Sequence, residues 1–193
     1  IRYLTKSVLA MAENNDSELY VVDKVNRELE DIVKGKENVK YTCLADDIKT
    51  YLAEISETLK KRYEYMVAGD MEAMEKEPYI VLILNTKDVN DIIDNDRLTY
   101  GYYGDIVKKY KNLKVFTILA DLENASVNYG MSQVIKSLKD ERVLFVFESA
   151  SEQKVLDMSI QFVRDNNKKP LFGDAFVSDG TDIYKVKTIF EGK

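Results

Sequence analysis

The chain contains no histidine. That removes Ser-His catalysis, histidine zinc sites and the usual general base near neutral pH. It contains a single cysteine, Cys43, so no internal disulfide can form, which fits a reducing compartment. Cys43 follows Tyr41 and Thr42 in a strand-like run and reads as a buried, inert thiol. No apolar run approaches the roughly 18 residues of a membrane-crossing helix. An excess of positive charge is also missing. With 28 Lys and Arg against 34 Asp and Glu, the net charge of −6 argues against a large nucleic-acid footprint. Two phosphate-cradling patterns, G-x-x-x-x-G-K-[ST] and G-x-G-x-x-G, are absent from these residues. The pair Gly101 and Gly104 reads as a helix irregularity. The acids Asp91, Asp94 and Asp96 lack the glycine and closing glutamate of a calcium loop and read as solvated loop acids. From the residues themselves no catalytic set, no metal ligands and no nucleotide-binding residues emerge.

What is present is an ordinary globular composition, 45% hydrophobic and 32% charged over 193 residues. That length suits one domain covering residues 1–193. The chain opens at Ile1 already in helical rhythm, and it is expected to be a fragment of a longer protein. Its organising stretch runs from Pro78 to Thr86. Six consecutive apolar residues, Tyr79 to Leu84, follow a proline and end abruptly at Asn85 and Thr86. So short an apolar run reads as a strand buried on both faces, of the kind central to a parallel sheet. In nucleotide-hydrolysing α/β folds, carboxylates at the end of such a strand hold magnesium and orient water. Here those places hold Asn85 and Thr86.

Further strands are expected at residues 19–22, 39–44, 115–119 and 143–147, all joining residues 79–85 in one mostly parallel sheet. Between them lie helical patterns. Leu4, Val8, Leu9 and Met11 share one face; Leu29, Ile32 and Val33 mark a short helix before Gly35. The longest helix is capped by Asp46 or Asp47, carries a stripe of Ile48, Tyr51, Leu52, Ile55, Leu59, Tyr63 and Met66, and stops at Gly69. Val89, Ile92 and Ile93 suggest a short helix, and Tyr100, Tyr103, Ile106, Val107 and Tyr110 a tyrosine-rich one packed on the sheet. Two more are expected around Met131, Val134, Ile135 and Leu138, and around Val155, Leu156 and Ile160, the latter behind a Ser149–Glu152 capping box. The period then changes. Asp179-Gly180 followed by alternation up to Phe190 signals a β-hairpin from Phe176, expected at the sheet edge.

Several separated stretches together resemble the FtsK/SpoIIIE family of hexameric P-loop motor ATPases. Leu19 to Lys24 looks like that family's strand ending in Asp-x-Lys. Lys61-Arg62-Tyr63 sits where the family has Arg-Arg-Tyr, and Pro78 to Leu84 matches its Walker B strand, which normally ends Asp-Glu. Leu119-Ala120 lies where the family reads Ala-Thr-Gln-Arg-Pro, and Leu171 to Gly180 resembles a shortened version of its glycine-rich ending. The departures narrow the resemblance. Walker B Asp-Glu has become Asn85-Thr86, and the Gln-Arg pair falls on Leu122-Glu123. The pattern looks like the last, degenerate ATPase domain of the type VII secretion motor of Firmicutes, the EssC/YukB type.

That resemblance implies a P-loop NTPase-like α/β fold of RecA/FtsK type with a C-terminal β-hairpin. It implies a cytoplasmic module of a membrane-anchored motor, with the family's P-loop just before Ile1. ATP and magnesium are cofactors of the family only; none is expected for this chain. Implied partners are the other ATPase domains of the motor and WXG100-type substrates, with no nucleic acid, and a hexameric homo-oligomer for the full-length protein. The expected role is substrate recognition or motor regulation by a spent catalytic centre. The alternatives are an ATP-hydrolysing domain cut off from its P-loop, or a DNA translocase domain.

Overall fold

The computed structural model describes residues 2–120, 132, 134, 136–137, 143–147, 149–152, 158–168, 171 and 173–187. They fall into two compact units, divided at Ala125 and Ser126.

The first unit is built on a parallel sheet. Its elements run α1 (Arg2–Ala12), β1 (Ser17–Val22), α2 (Glu30–Val33), β2 (Val39–Thr42), α3 (Asp47–Ala68), α4 (Met71–Lys76), β3 (Tyr79–Asn85), α5 (Val89–Asn95), α6 (Arg97–Gly104) and β4 (Val115–Ala120). The strand order is β2-β1-β3-β4, every pair parallel. The apolar run of β3 thus lies inside the sheet, and Ile80 to Asn85 are buried. A strand flanked on both edges and covered on both faces has no polar side to show, which is why its sequence does not alternate.

Helices cover both faces. On one, Val8 and Ala12 of α1, with Leu29 and Val33, pack with Leu19 and Val21 of β1 and Val81 and Ile83 of β3. On the other lies α3, with Tyr51 edge-on to Tyr20 at 5.3 Å between ring centres. Ile48, Leu52, Ile55 and Leu59, the core of the α3 stripe, are fully buried. Truncating any of these leucines to alanine would cost about 2–5 kcal/mol.

Several local expectations are corrected. Asp46 holds the N-cap position of α3 as expected but makes no side-chain cap bond, and Asp47 Oδ2 accepts from the Thr42 hydroxyl at 2.6 Å. β2 ends at Thr42, because the Thr42 hydroxyl accepts the Leu44 N–H at 3.0 Å and turns the chain towards α3. Cys43, beyond that strand, is part-buried and free. Asp91 and Asp94 lie within α5, and Asp96 caps α6 by accepting the Thr99 N–H. After Gly104 the tyrosine-rich helix widens into a π-helical turn, Asp105–Lys109, which is the irregularity the glycine pair announces. Tyr103, Ile106 and Tyr110 are buried there, whereas Tyr100 is exposed.

The second unit holds β5 (Val143–Val146), α7 (Ile160–Asp165), β6 (Asp174–Asp179) and β7 (Ile183–Lys187). Its three strands run antiparallel in the order β5-β6-β7. β5, expected in the parallel sheet, pairs here instead. A four-residue apolar run carries no information on strand direction, and Phe145 and Phe147 are exposed, so it is not doubly buried. The hairpin forms as expected, but it pairs with β5 in this antiparallel sheet and does not extend the edge of the parallel one. Asp179 Oδ1 accepts the N–H groups of Thr181 and Asp182, and Gly180 takes the positive φ of 96° that the turn requires. Phe162 of α7 packs edge-on against the buried Phe176 at 5.7 Å. Ser149 and Glu152 meet at 2.7 Å, side chain to side chain. The expected helix positions Met131, Ile135, Leu138, Val155 and Leu156, and the hairpin end at Phe190, lie outside the described residues, as do Leu122 and Glu123.

Candidate functional site at the carboxyl end of the sheet

In an open parallel sheet, ligands bind beyond the carboxyl ends of the strands, where the order reverses. In this sheet the reversal falls between β1 and β3. Asp23 follows β1, Asn85 ends β3, and the sequence had singled out both. The fold brings them together: the Asn85 side-chain amide donates to Asp23 Oδ1 at 2.8 Å. Both residues are 1% exposed.

Asp23 takes three further bonds. Oδ1 accepts the Lys24 N–H at 2.8 Å; Oδ2 accepts the Leu29 N–H at 2.7 Å and the Tyr41 hydroxyl at 3.0 Å. Lys24 thus meets Asp23 through its backbone, while its ammonium lies 3.2 Å from Glu28. A buried carboxylate has about four lone-pair positions, and four neutral donors fill them here. This arrangement folds the loop after β1 back on itself, with Arg27 in the left-handed region at φ 57° and its N–H donating to the Lys24 carbonyl at 2.8 Å.

Glu28 completes the cluster from the solvent side. Its Oε2 lies 3.4 Å from the Asn85 amide and its Oε1 accepts from Asn26 at 3.2 Å. Burial would raise its pKa, but hydrogen bonds from Asn26, Lys24 and Asn85 outweigh it and bring the carboxyl below its ordinary value. Burial, and then the neighbouring charge of Asp23, pushes the Tyr41 phenol well up. Thr86 is buried beside Asn85, and its hydroxyl accepts the Asp88 N–H at 3.3 Å in a local turn ahead of α5.

Magnesium with a nucleotide needs carboxylate oxygens that can face the ion and its waters. These residues do not fit that group. Asn85 contributes a donor where an acceptor is required, Asp23 has no uncommitted lone pair, and Glu28 is matched by Lys24. Among the described residues, no three acidic, cysteine or histidine side chains are placed to hold a metal. The roles of Glu28 and Tyr41 had not been anticipated. The Lys24–Glu28 spacing, an i,i+4 charge pair, was the available signal for the first. Tyr41 could be found only by pairing β1 with β2.

Arg62, part of the Lys61-Arg62-Tyr63 signature, lies elsewhere. It is 1% exposed at the opposite, amino end of the sheet, where its Nε donates to Glu77 at 3.2 Å and its Nη1 to the Leu113 carbonyl at 3.0 Å. Among the described residues its Nη2 has no partner.

No protein-family model matches the sequence, and no curated protein does. Solved structures do match. The cytoplasmic domain of EssC aligns over 95% of this chain with a TM-score of 0.58 at 17% identity. The cytoplasmic domain of the Thermomonospora curvata type VII secretion ATPase EccC aligns over 98% with a TM-score of 0.66 at 12% identity. The match takes up 33% of the first chain and 22% of the second. Among the described residues no helix is long and apolar enough to cross a membrane. The fold of this chain is that of a part of the cytoplasmic domains of EssC and of the type VII secretion ATPase EccC.

Proposed function

We propose that this chain is an ATPase-fold module of a type VII secretion motor whose catalytic centre is spent, and that it serves the motor by recognising substrate or regulating its neighbours. The observation that carries the reading is the bond between Asn85 and Asp23. At the strand end where a working motor keeps a metal-facing carboxylate, this chain keeps an amide that locks a buried aspartate. Phosphoryl transfer depends almost wholly on positioning and charge at that place, so removing the metal's anchor costs orders of magnitude in rate. The net charge of −6 speaks against a DNA translocase. The module is cytoplasmic in this reading, part of a larger membrane-anchored protein, and its partners are the other ATPase domains of the motor and WXG100-type substrates.

A spent domain contributes through its surface. Cargo of this class carries a C-terminal signal that would dock as an amphipathic helix, with few anchors and hence weak affinity for a single domain. The test titrates labelled C-terminal cargo peptides against the chain, beside peptides with their apolar anchors changed to alanine. Saturable binding of the native peptides only is expected. Equal signals from both sets, or none up to millimolar concentration, would remove substrate recognition from the reading.

A further inference from the structure

The corner between α3 and α4 is a hydrogen-bonded reversal. α3 ends on Gly69, left-handed at φ 73°. The Gly69 N–H donates to the Met66 carbonyl at 3.2 Å and the Asp70 N–H to the Tyr65 carbonyl at 2.9 Å. Asp70 then caps α4 by accepting the Ala73 N–H at 3.0 Å. Such a glycine reversal commonly tucks an apolar contact across itself. Here the large apolar side chains stay outside: Met66 is 43% exposed, Val67 68% and Met71 58%. One exposed apolar residue needs no explanation, but here three fall within six positions of one hydrogen-bonded corner.

Its rim is mostly acidic, with Lys76 and Lys114 as its cations; Lys114 Nζ donates to the Glu75 carbonyl at 2.8 Å. Between Arg62 and Lys76 the chain carries Glu64, Asp70, Glu72 and Glu75 and no basic residue, and all four acids are exposed. Lys76 answers Glu72 at 2.6 Å. Among the described residues no ion pair reaches the carboxylates of Glu64, Asp70 or Glu75, since Lys114 meets Glu75 through its backbone carbonyl; the nearest basic residue upstream on the surface of α3 is Lys61.

We infer that the Met66–Val67–Met71 corner is a docking surface for a basic amphipathic helix of a protein partner. Flexible methionines adapt to an apolar helix face, and the acidic rim selects the lysines and arginines that border it. The same rim disfavours the other occupants. An anionic membrane surface would be repelled, and a second copy docking corner to corner would set like charges against like. The inference stands apart from the secretion reading.

The test uses the whole 193-residue chain and a labelled synthetic Leu–Lys helix of about five turns. Its controls are a scrambled peptide of the same composition, the matching Leu–Glu helix and anionic vesicles. Saturable binding is expected for the amphipathic Leu–Lys helix alone. The triple variant Met66→Gln, Val67→Gln, Met71→Gln alters only exposed side chains and should weaken it at least about tenfold, a loss of about 1.4 kcal/mol. Glu64→Gln, Asp70→Asn, Glu75→Gln should weaken it similarly and flatten its salt dependence; Asn at position 70 retains the capping oxygen. Circular dichroism establishes that both variants fold. No binding, equal binding of the scrambled peptide, indifference to the apolar triple variant, or preference for vesicles would each overturn the inference.

Discussion

Two buried charges mark the two ends of the parallel sheet, and they are treated in opposite ways. At the carboxyl end Asp23 is surrounded by four donors, two backbone and two side-chain, and every lone pair is matched. At the amino end Arg62 donates to one carboxylate and to the carbonyls ahead of β4, and among the described residues one of its terminal nitrogens is left over. The first is a closed polar network, which rigidifies and leaves no coordination for a guest. The second is a clamp with slack: it ties α3 to the segments entering β3 and β4. The end where this kind of sheet does its chemistry is the saturated one, and the proposal of a spent centre rests on that saturation.

The largest effect should come from Asn85→Asp. It replaces the donor to Asp23 with a second carboxylate at 2.8 Å. Loss of a bond to a charged group and like-charge repulsion together should cost about 2–4 kcal/mol at neutral pH, with one of the pair taking up a proton. The sign follows: a carboxyl whose folded pKa is raised destabilises once pH exceeds its unfolded value. The gap between wild type and variant should therefore open from about pH 4 upwards. Urea unfolding at pH 4 and 8 measures it, and equal stability at pH 8 would break the contrast between the two ends.

The amino end should respond less. Glu77→Ala strips the guanidinium of the carboxylate it is bonded to and should cost about 1–3 kcal/mol. Arg62→Met should cost less than that, because a flexible apolar chain fills the space and removes the unmatched nitrogen too. Chemical denaturation of the two variants side by side checks the order; the reverse order would make Arg62 a saturated site like Asp23.

Legibility in the sequence followed the same division. The doubly buried strand could be read from Tyr79 to Leu84, since a covered parallel strand loses its alternation. The α3 stripe could be read from Ile48, Leu52, Ile55 and Leu59, and the hairpin from Asp179-Gly180. Direction could not be read for β5, whose four apolar residues fit either sheet. The burial of Arg62 was hidden as well, because a guanidinium on an apolar face is masked by its neighbours Lys60 and Lys61, which are exposed. At the site, the unusual Asn85 and Thr86 were visible. That Asn85 would be spent on Asp23, 62 positions away, was not, since only the β1–β3 register brings them together.

The smallest effect expected is alkaline. Burial foremost raises the phenols of Tyr20, Tyr41 and Tyr51. Groups whose folded pKa is raised contribute stability that is complete below their unfolded value near 10 and is lost as pH rises through the folded values. The unfolding midpoint should hold from pH 8 to about pH 9.5 and fall beyond it. Tyr41→Phe should soften that fall, because it removes the phenol facing Asp23.

The central claim, that the carboxyl end is closed to a metal–nucleotide, is tested most directly by calorimetric titration of ATP with magnesium into the chain. The account predicts no saturable heat at micromolar affinity. A stoichiometric, magnesium-dependent signal that disappears in Asp23→Asn would contradict it.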